Sequence, residues 1–222
     1  AICTAEAQAI MNYNNAVPRK TPSNWVTPEY TSINRNPYRE WIGAQIRADG
    51  WGYACAGNPE LAAEFAYRDA CWTHRANGIY GEMMFAAIIA AAFSVDDPID
   101  LINIGLSEIP ENCKLAEASR RALIEMDQSK DFYKYMDWVE AEFGELSGVH
   151  TVNNALVVIG ALFYGKSDFH LSVCYAIEGG WDTDCNGATC GSILGAIHGR
   201  SNMNSSLVPP LNDTIKPSVI GF

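Results

Sequence analysis

Asp182 and Asp184 stand two positions apart in the stretch E-G-G-W-D-T-D-C-N-G-A-T-C-G-S-I-L-G-A-I-H-G, residues 178–199. Residues at i and i+2 do not share a helix face, so both carboxylates can converge on one point only from a turn or an extended segment. Gly179 and Gly180, just before them, make such a turn easy. Paired carboxylate oxygens are hard donors that suit Mg²⁺, Mn²⁺ or Ca²⁺ rather than zinc, with water and substrate oxygens completing the shell. The competing reading is a solvated turn in which Asp184 or Cys185 caps the helix that follows.

That helix is expected from Gly187, Gly191, Gly195 and Gly199, which recur every four residues and would form one bare stripe. Glycine costs about 1 kcal/mol per helical position relative to alanine, so the stripe predicts close packing against another backbone. The N-terminal amides of the same helix point back toward the carboxylates, a geometry that also favours a bound anion.

The elements that must position this loop read as helices throughout. Thr4 to Asn14 has the pattern of a short helix, and the prolines between Ala16 and Pro37 mark a long irregular connection. Tyr38, Trp41, Ile42, Gln45 and Ile46 follow helical spacing up to Asp49 and Gly50. Asn58-Pro59-Glu60 is a cap, a first-turn proline and an early acid, opening a helix whose apolar face is Leu61, Phe65 and Trp72. Asn77 and Gly78 separate it from Tyr80–Phe93, a small-residue helix expected to be buried on nearly every side. Asp97-Pro98 starts another helix, and Pro110–Met126 forms a further amphipathic one. Ser129–Phe143 places Phe132, Met136, Val139 and Phe143 on one side and stops at Gly144, Asn153–Tyr164 is apolar throughout, and Ser167 or Asp168 caps the helix leading into Gly179. With no alternating β pattern and no fixed repeat, the expected fold class is all-α, an orthogonal multi-helix bundle over residues 1–222 as one domain.

The segment G-G-W-D-T-D-C-N-G-A-T resembles the C-terminal metal motif of the ADP-ribosylglycohydrolase family, which includes the dinitrogenase reductase-activating glycohydrolase, the ADP-ribosyl-acceptor hydrolases and a jellyfish lens crystallin. Two more blocks are similar to the same family, N-P-Y-R-E-W-I-G-A-Q-I-R-A-D-G-W-G at 36–52 and the T-H-containing block from Asn58 to Met84. The resemblance implies an all-helical fold around two divalent ions, Mg²⁺ or Mn²⁺, with Asp182 and Asp184 as ligands. The next position in the family is commonly Thr or Ser and supplies a third oxygen; here it is Cys185, whose neutral thiol is a poor donor to Mg²⁺. By the same resemblance Gly43 and Arg47 lie near an ADP-ribose cleft, with His74, Asn77, Gly78 and Tyr80 beside the bound nucleotide. His150, Thr151 and Asn154 start another helix that could face the same cleft, although capping explains Thr151 and Asn154 equally well.

The family's N-terminal G-D-x-x-G start and its T/S-D-D ligands have no counterpart, since Asp96-Asp97 sits in V-D-D-P-I-D. The chain is therefore expected to be the C-terminal portion of a longer fold, with a missing N-terminal polypeptide, or else a half-site. No catalytic residue is assigned.

Composition bounds what such a site can serve. A content of 48% apolar and 18% charged residues in 222 supports one well-buried domain. The net charge of −11 disfavours a nucleic-acid surface, and the longest apolar run, Met83–Phe93, is too short to span a membrane. Seven cysteines without a C-x-x-C pair point to reduced thiols, and with no signal-peptide pattern the expected location is cytoplasmic. The expected function is metal-dependent hydrolysis of the glycosidic bond between ADP-ribose and an acceptor, the substrate being an ADP-ribosylated protein or a small-molecule ADP-ribose conjugate. The alternative is a non-catalytic ADP-ribose-binding or crystallin-like structural protein.

Overall fold

Two helices, α5 (Asn77–Ala91) and α9 (Thr151–Gly165), are buried along almost their whole length, and the other elements are arranged around them. The computed structural model describes residues 4–17, 26–203 and 205–214. In chain order the remaining helices are α1 (Ala5–Ala16), α2 (Pro28–Ile33), α3 (Asp49–Ala54), α4 (Pro59–Ala70), α6 (Pro98–Ser107), α7 (Lys114–Gln128), α8 (Phe132–Phe143), α10 (Phe169–Glu178) and α11 (Thr183–Asn202). Among the described residues there is no β-strand, only an isolated antiparallel bridge between Trp41 and His150.

Helix α5 packs against α3, α4 and α6, while α9 packs against α7, α8, α10 and α11. Met84, Phe85, Ile88 and Ile89 of the first and Leu156, Ile159 and Leu162 of the second meet in one hydrophobic cluster. Each such side chain contributes about 1.5–3 kcal/mol on leaving water, so these two helices anchor the fold. No helix among the described residues is long and apolar enough to cross a membrane.

Most helix starts follow the local chemistry of the chain. Thr4, Thr27, Asn58, Asp97, Cys113, Asp131 and Asp168 each cap a first turn through the side chain, and prolines open α2, α4 and α6.

Four expectations are corrected. Residues 37–44 are turns rather than helix, followed by a 3₁₀ turn at Gln45–Arg47 and then α3. The backbone there is drawn into tertiary hydrogen bonds, Ile42 N to Val149 O at 2.8 Å and Thr151 N to Glu40 O at 3.0 Å, which override the local periodicity. The irregular connection contains α2, capped by Thr27, while residues 18–25 lie outside the described part.

On α4 the buried face is Ala62, Ala63, Ala66 and Ala70; Phe65 packs half-buried against the core as expected, whereas Leu61 and, beyond the helix end, Trp72 are 37% and 42% exposed. Alanines let α4 lie close to α5, and Leu61 turns outward. The glycine stripe of α11 packs closely only at its start: a Cβ on buried Gly187 would come 3.2 Å from Ile177, whereas one on Gly191 would meet Val173 only at 4.0 Å and one on Gly195 would meet nothing. Gly199 has φ +62° at a kink, where glycine relieves backbone strain.

Candidate metal centre

Gly180 and Trp181 both adopt positive φ, +80° and +53°, and this double left-handed step turns the chain sharply out of α10 and into α11. A left-handed conformation is costly for a tryptophan and persists only where the surroundings impose it. The side chain of Trp181 is half-buried against the core and lies along Gly148. The turn delivers Asp182 to the N-cap position of α11, Asp184 to the first turn and Cys185 next to it.

An aspartate at an N-cap ordinarily accepts from the first-turn amides. Asp97 does so from Ile99 N and Asp100 N, Asp131 from Lys134 N at 3.0 Å, and Asp168 from Leu171 N at 2.7 Å. Asp182 makes no such bond. Its carboxylate instead lies against Asp184 and the Cys185 thiol. Single ligand atoms from Asp182, Asp184 and Cys185 all lie within 4.8 Å of one another, the one group of three metal-ligating side chains found among the described residues.

Burial, and then the neighbouring Asp184, raise the Asp182 pKa above the ordinary carboxylate range, opposed by the Cys185 thiol. Burial and the two carboxylates push the Cys185 thiol up to about 12, so the thiol keeps its proton. The two carboxylates fit a hard divalent ion that also takes water or substrate oxygens; a protonated thiol fits one poorly.

The loop is held from behind by α9. Oδ1 of Asn154 accepts from Asp182 N at 3.0 Å and from Asn186 Nδ2 at 2.9 Å, while its Nδ2 donates to Gly148 O and His150 O. The other amide oxygen of the pair, Asn186 Oδ1, is buried without a partner. His150, rather than Thr151, is the N-cap of α9, its Nδ1 accepting from Val152 N at 3.1 Å. That bond leaves the proton on Nε2. The imidazole lines a cavity of about 380 Å³ together with Glu40, Lys114, Glu117 and Arg121.

A family model described as ADP-ribosylglycohydrolase matches residues 2–219. The chain belongs to the ADP-ribosylglycohydrolase family. No curated protein and no solved structure gives a significant match to it. Membership in this glycohydrolase family supports an ADP-ribosylglycohydrolase type of function and agrees with the all-helical fold.

The other residues that the family resemblance singles out sit on a different set of contacts. Arg47 bonds Asp69 Oδ2 at 2.6 Å, Glu6 Oε1 at 2.7 Å, Thr73 Oγ1 at 2.8 Å and the Gly43 carbonyl at 3.0 Å. A Cβ on Gly43 would meet Glu6 Oε1 at 2.5 Å, so that glycine makes room for the ion pair. His74 is 0% exposed, with Nδ1 2.7 Å from Thr73 Oγ1, and burial lowers its pKa to about 4. Asn77 uses both ends of its amide internally, on Glu40 Oε2 and Leu115 N. Gly78 lets the Arg39 carbonyl approach closely, and Tyr80 packs half-buried against the core.

Residues 39–42 bond on one side to the T-H segment, Arg39 O accepting from Arg75 N, and on the other to Val149 and Thr151 at the start of α9. Asp182, Asp184 and Cys185 are brought together; Arg47 and His74 share a hydrogen-bond network with Glu6, Asp69 and Thr73, while Asn77 and Gly78 are engaged by Glu40 and Arg39. Two members of these networks were not singled out from sequence. For Asn186 no local signal distinguishes it from the other polar residues of the loop, whereas Glu82 carries a legible one, being the lone acid in the apolar run of α5.

Proposed function

We propose that the chain is a metal-dependent hydrolase acting on the glycosidic bond between ADP-ribose and an acceptor, with Asp182 and Asp184 as the carboxylates that hold a Mg²⁺ or Mn²⁺ ion. The observation that carries this reading is the Asp182 carboxylate, which sits at a helix N-cap yet is turned away from capping and toward Asp184. A divalent ion there supplies Lewis acidity, polarising a coordinated oxygen and easing deprotonation of water. Cys185, whose thiol keeps its proton, is not a third hard ligand. The first turn of α11 receives no cap bond from Asp182, and its amides would suit a substrate oxygen.

The family resemblance implies two ions. Ligands for the second would come from substrate oxygens or from another polypeptide, since no further Asp, Glu, His or Cys joins the cluster among the described residues. That same feature favours the alternative of an ADP-ribose-binding protein without turnover. The proposed setting is cytoplasmic, resting on seven cysteines without a C-x-x-C pair. The substrate class is an ADP-ribosylated protein or a small-molecule ADP-ribose conjugate.

The test is release of ADP-ribose from such conjugates with Mg²⁺ or Mn²⁺ added, comparing wild type with Asp182→Asn and Asp184→Asn. Metal-dependent release that both variants lose supports the hydrolase. Binding of ADP-ribose without release moves the protein to the second reading, and equal behaviour of all three proteins makes the loop an ordinary turn.

A further inference from the structure

Asn154 is 0% exposed, and every hydrogen-bonding position of its side chain is used to join two loops. Its Nδ2 draws in the carbonyls of Gly148 and His150, at 3.0 Å and 2.8 Å, which belong to the turn before α9. Its Oδ1 takes the main-chain amide of Asp182, the residue whose carboxylate faces Asp184. It also takes Nδ2 of Asn186, one helical turn further along α11. A main-chain amide fixed at Asp182 sets where its Cα–Cβ bond points, which matters because the residue sits between a left-handed Trp181 and the helix and has no cap bond of its own.

The geometry points to Asn154 as the positioning residue of the metal centre: resting on the reading of Asp182 and Asp184 as ligands, it holds the D-x-D loop in the one orientation where both carboxylates meet. It touches neither ion nor substrate and acts through Asp182. Groups that orient metal ligands in this way are worth about 10–100-fold in metal affinity.

The experiment titrates Mn²⁺ alone into the full chain and follows free Mn²⁺ by electron paramagnetic resonance. It compares wild type, Asp182→Asn, Asn154→Ala, Asn154→Ser and, as a stability control remote from the loop, Val139→Ala, which cuts a cavity in the buried face of α8. The serine variant guards against an alanine variant that does not fold, because its hydroxyl can still bond the carbonyl four residues back while being too short to reach Asp182. Amide hydrogen exchange of the metal-free proteins reads the loop itself.

The expected result is a Mn²⁺ affinity about 10–100-fold lower in the Asn154 variants, with faster exchange at the Asp182 amide. Val139→Ala should melt earlier but bind Mn²⁺ like wild type. Wild-type affinity in the Asn154 variants, or an Asp182 amide as protected as before, overturns the positioning role while leaving the two carboxylates as ligands. A wild type that binds no Mn²⁺ overturns both.

Discussion

Asp69 stands between two groups of opposite kind, the Arg47 guanidinium at 2.6 Å and the fully buried carboxyl of Glu82. An ionised Glu82 would leave both oxygens without a donor; carrying a proton, it donates to Asp69 instead. Burial first, and this hydrogen bond second, push its pKa up to about 9.

A folded-state pKa above the unfolded one means stability that is complete at acid pH and lost as the pH rises. For Glu82 the loss begins above about 4.5 and continues to about 9. Glu82→Gln keeps a donor without the proton linkage, so it should unfold in urea with a weaker alkaline decline than wild type, the gap growing by on the order of 4 kcal/mol between pH 5 and 8. Parallel pH profiles would show that Glu82 is ionised in the folded chain.

His74 has the opposite sign. Burial lowers its folded pKa to about 4 from an ordinary 6.5, so its contribution is present above 6.5 and lost as the pH falls toward 4. His74→Gln should therefore gain on wild type through that window, by an amount on the order of 2 kcal/mol. Melting temperatures at pH 7, 5.5 and 4.5 measure it, and a constant difference would mean that the imidazole is charged or solvated.

Capping offers a third check, made without metal. Asp168→Ala and Asp131→Ala each remove a cap bond and should cost about 1 kcal/mol. Asp182→Ala removes none and relieves the crowding with Asp184, so its stability should stay within about 0.5 kcal/mol of wild type. A loss as large as that of Asp168→Ala would return Asp182 to ordinary capping.

The glycines of α11 should divide by what surrounds them. Gly191→Ala and Gly195→Ala place a methyl in open space and should each stabilise by about 0.5–1 kcal/mol through helix propensity. Gly160→Ala on α9, where the methyl would strike the Tyr135 ring, should destabilise. Thermal melts of the three variants separate these cases, and a loss at Gly195 would place another surface against the stripe.

At the metal centre, Cys185→Ser replaces a protonated thiol with a hard hydroxyl donor. Mg²⁺ affinity measured by calorimetry should rise several-fold, whereas an unchanged or weaker affinity would show that this side chain points away from the ion.

Much of this protein is local chemistry, and the sequence alone determined that part. Asn58-Pro59, Asp97-Pro98, Asp131 and Asp168 start helices because a short polar side chain or a proline acts on amides two or three residues away, with no help from distant segments. The all-α class follows from the same periodicity; the turn expected from Gly179 and Gly180 is made by Gly180 and Trp181, Gly179 keeping a helical φ at the end of α10.

Tertiary structure decided the rest. Residues 37–44 have helical spacing, yet their backbone bonds to Val149 and Thr151, more than a hundred positions away. The face of α4 was settled by how closely α5 approaches, which favours alanine over leucine. Arg47 and His74 read alike as ligand contacts or as internal groups until Glu6, Asp69 and Glu82 were placed around them. That Asp182 withholds its carboxylate from the helix, while Asn154 takes its amide, depends on α9 lying behind the loop; hydrogen-bond partners so remote in sequence are chosen by packing, and no local pattern encodes them.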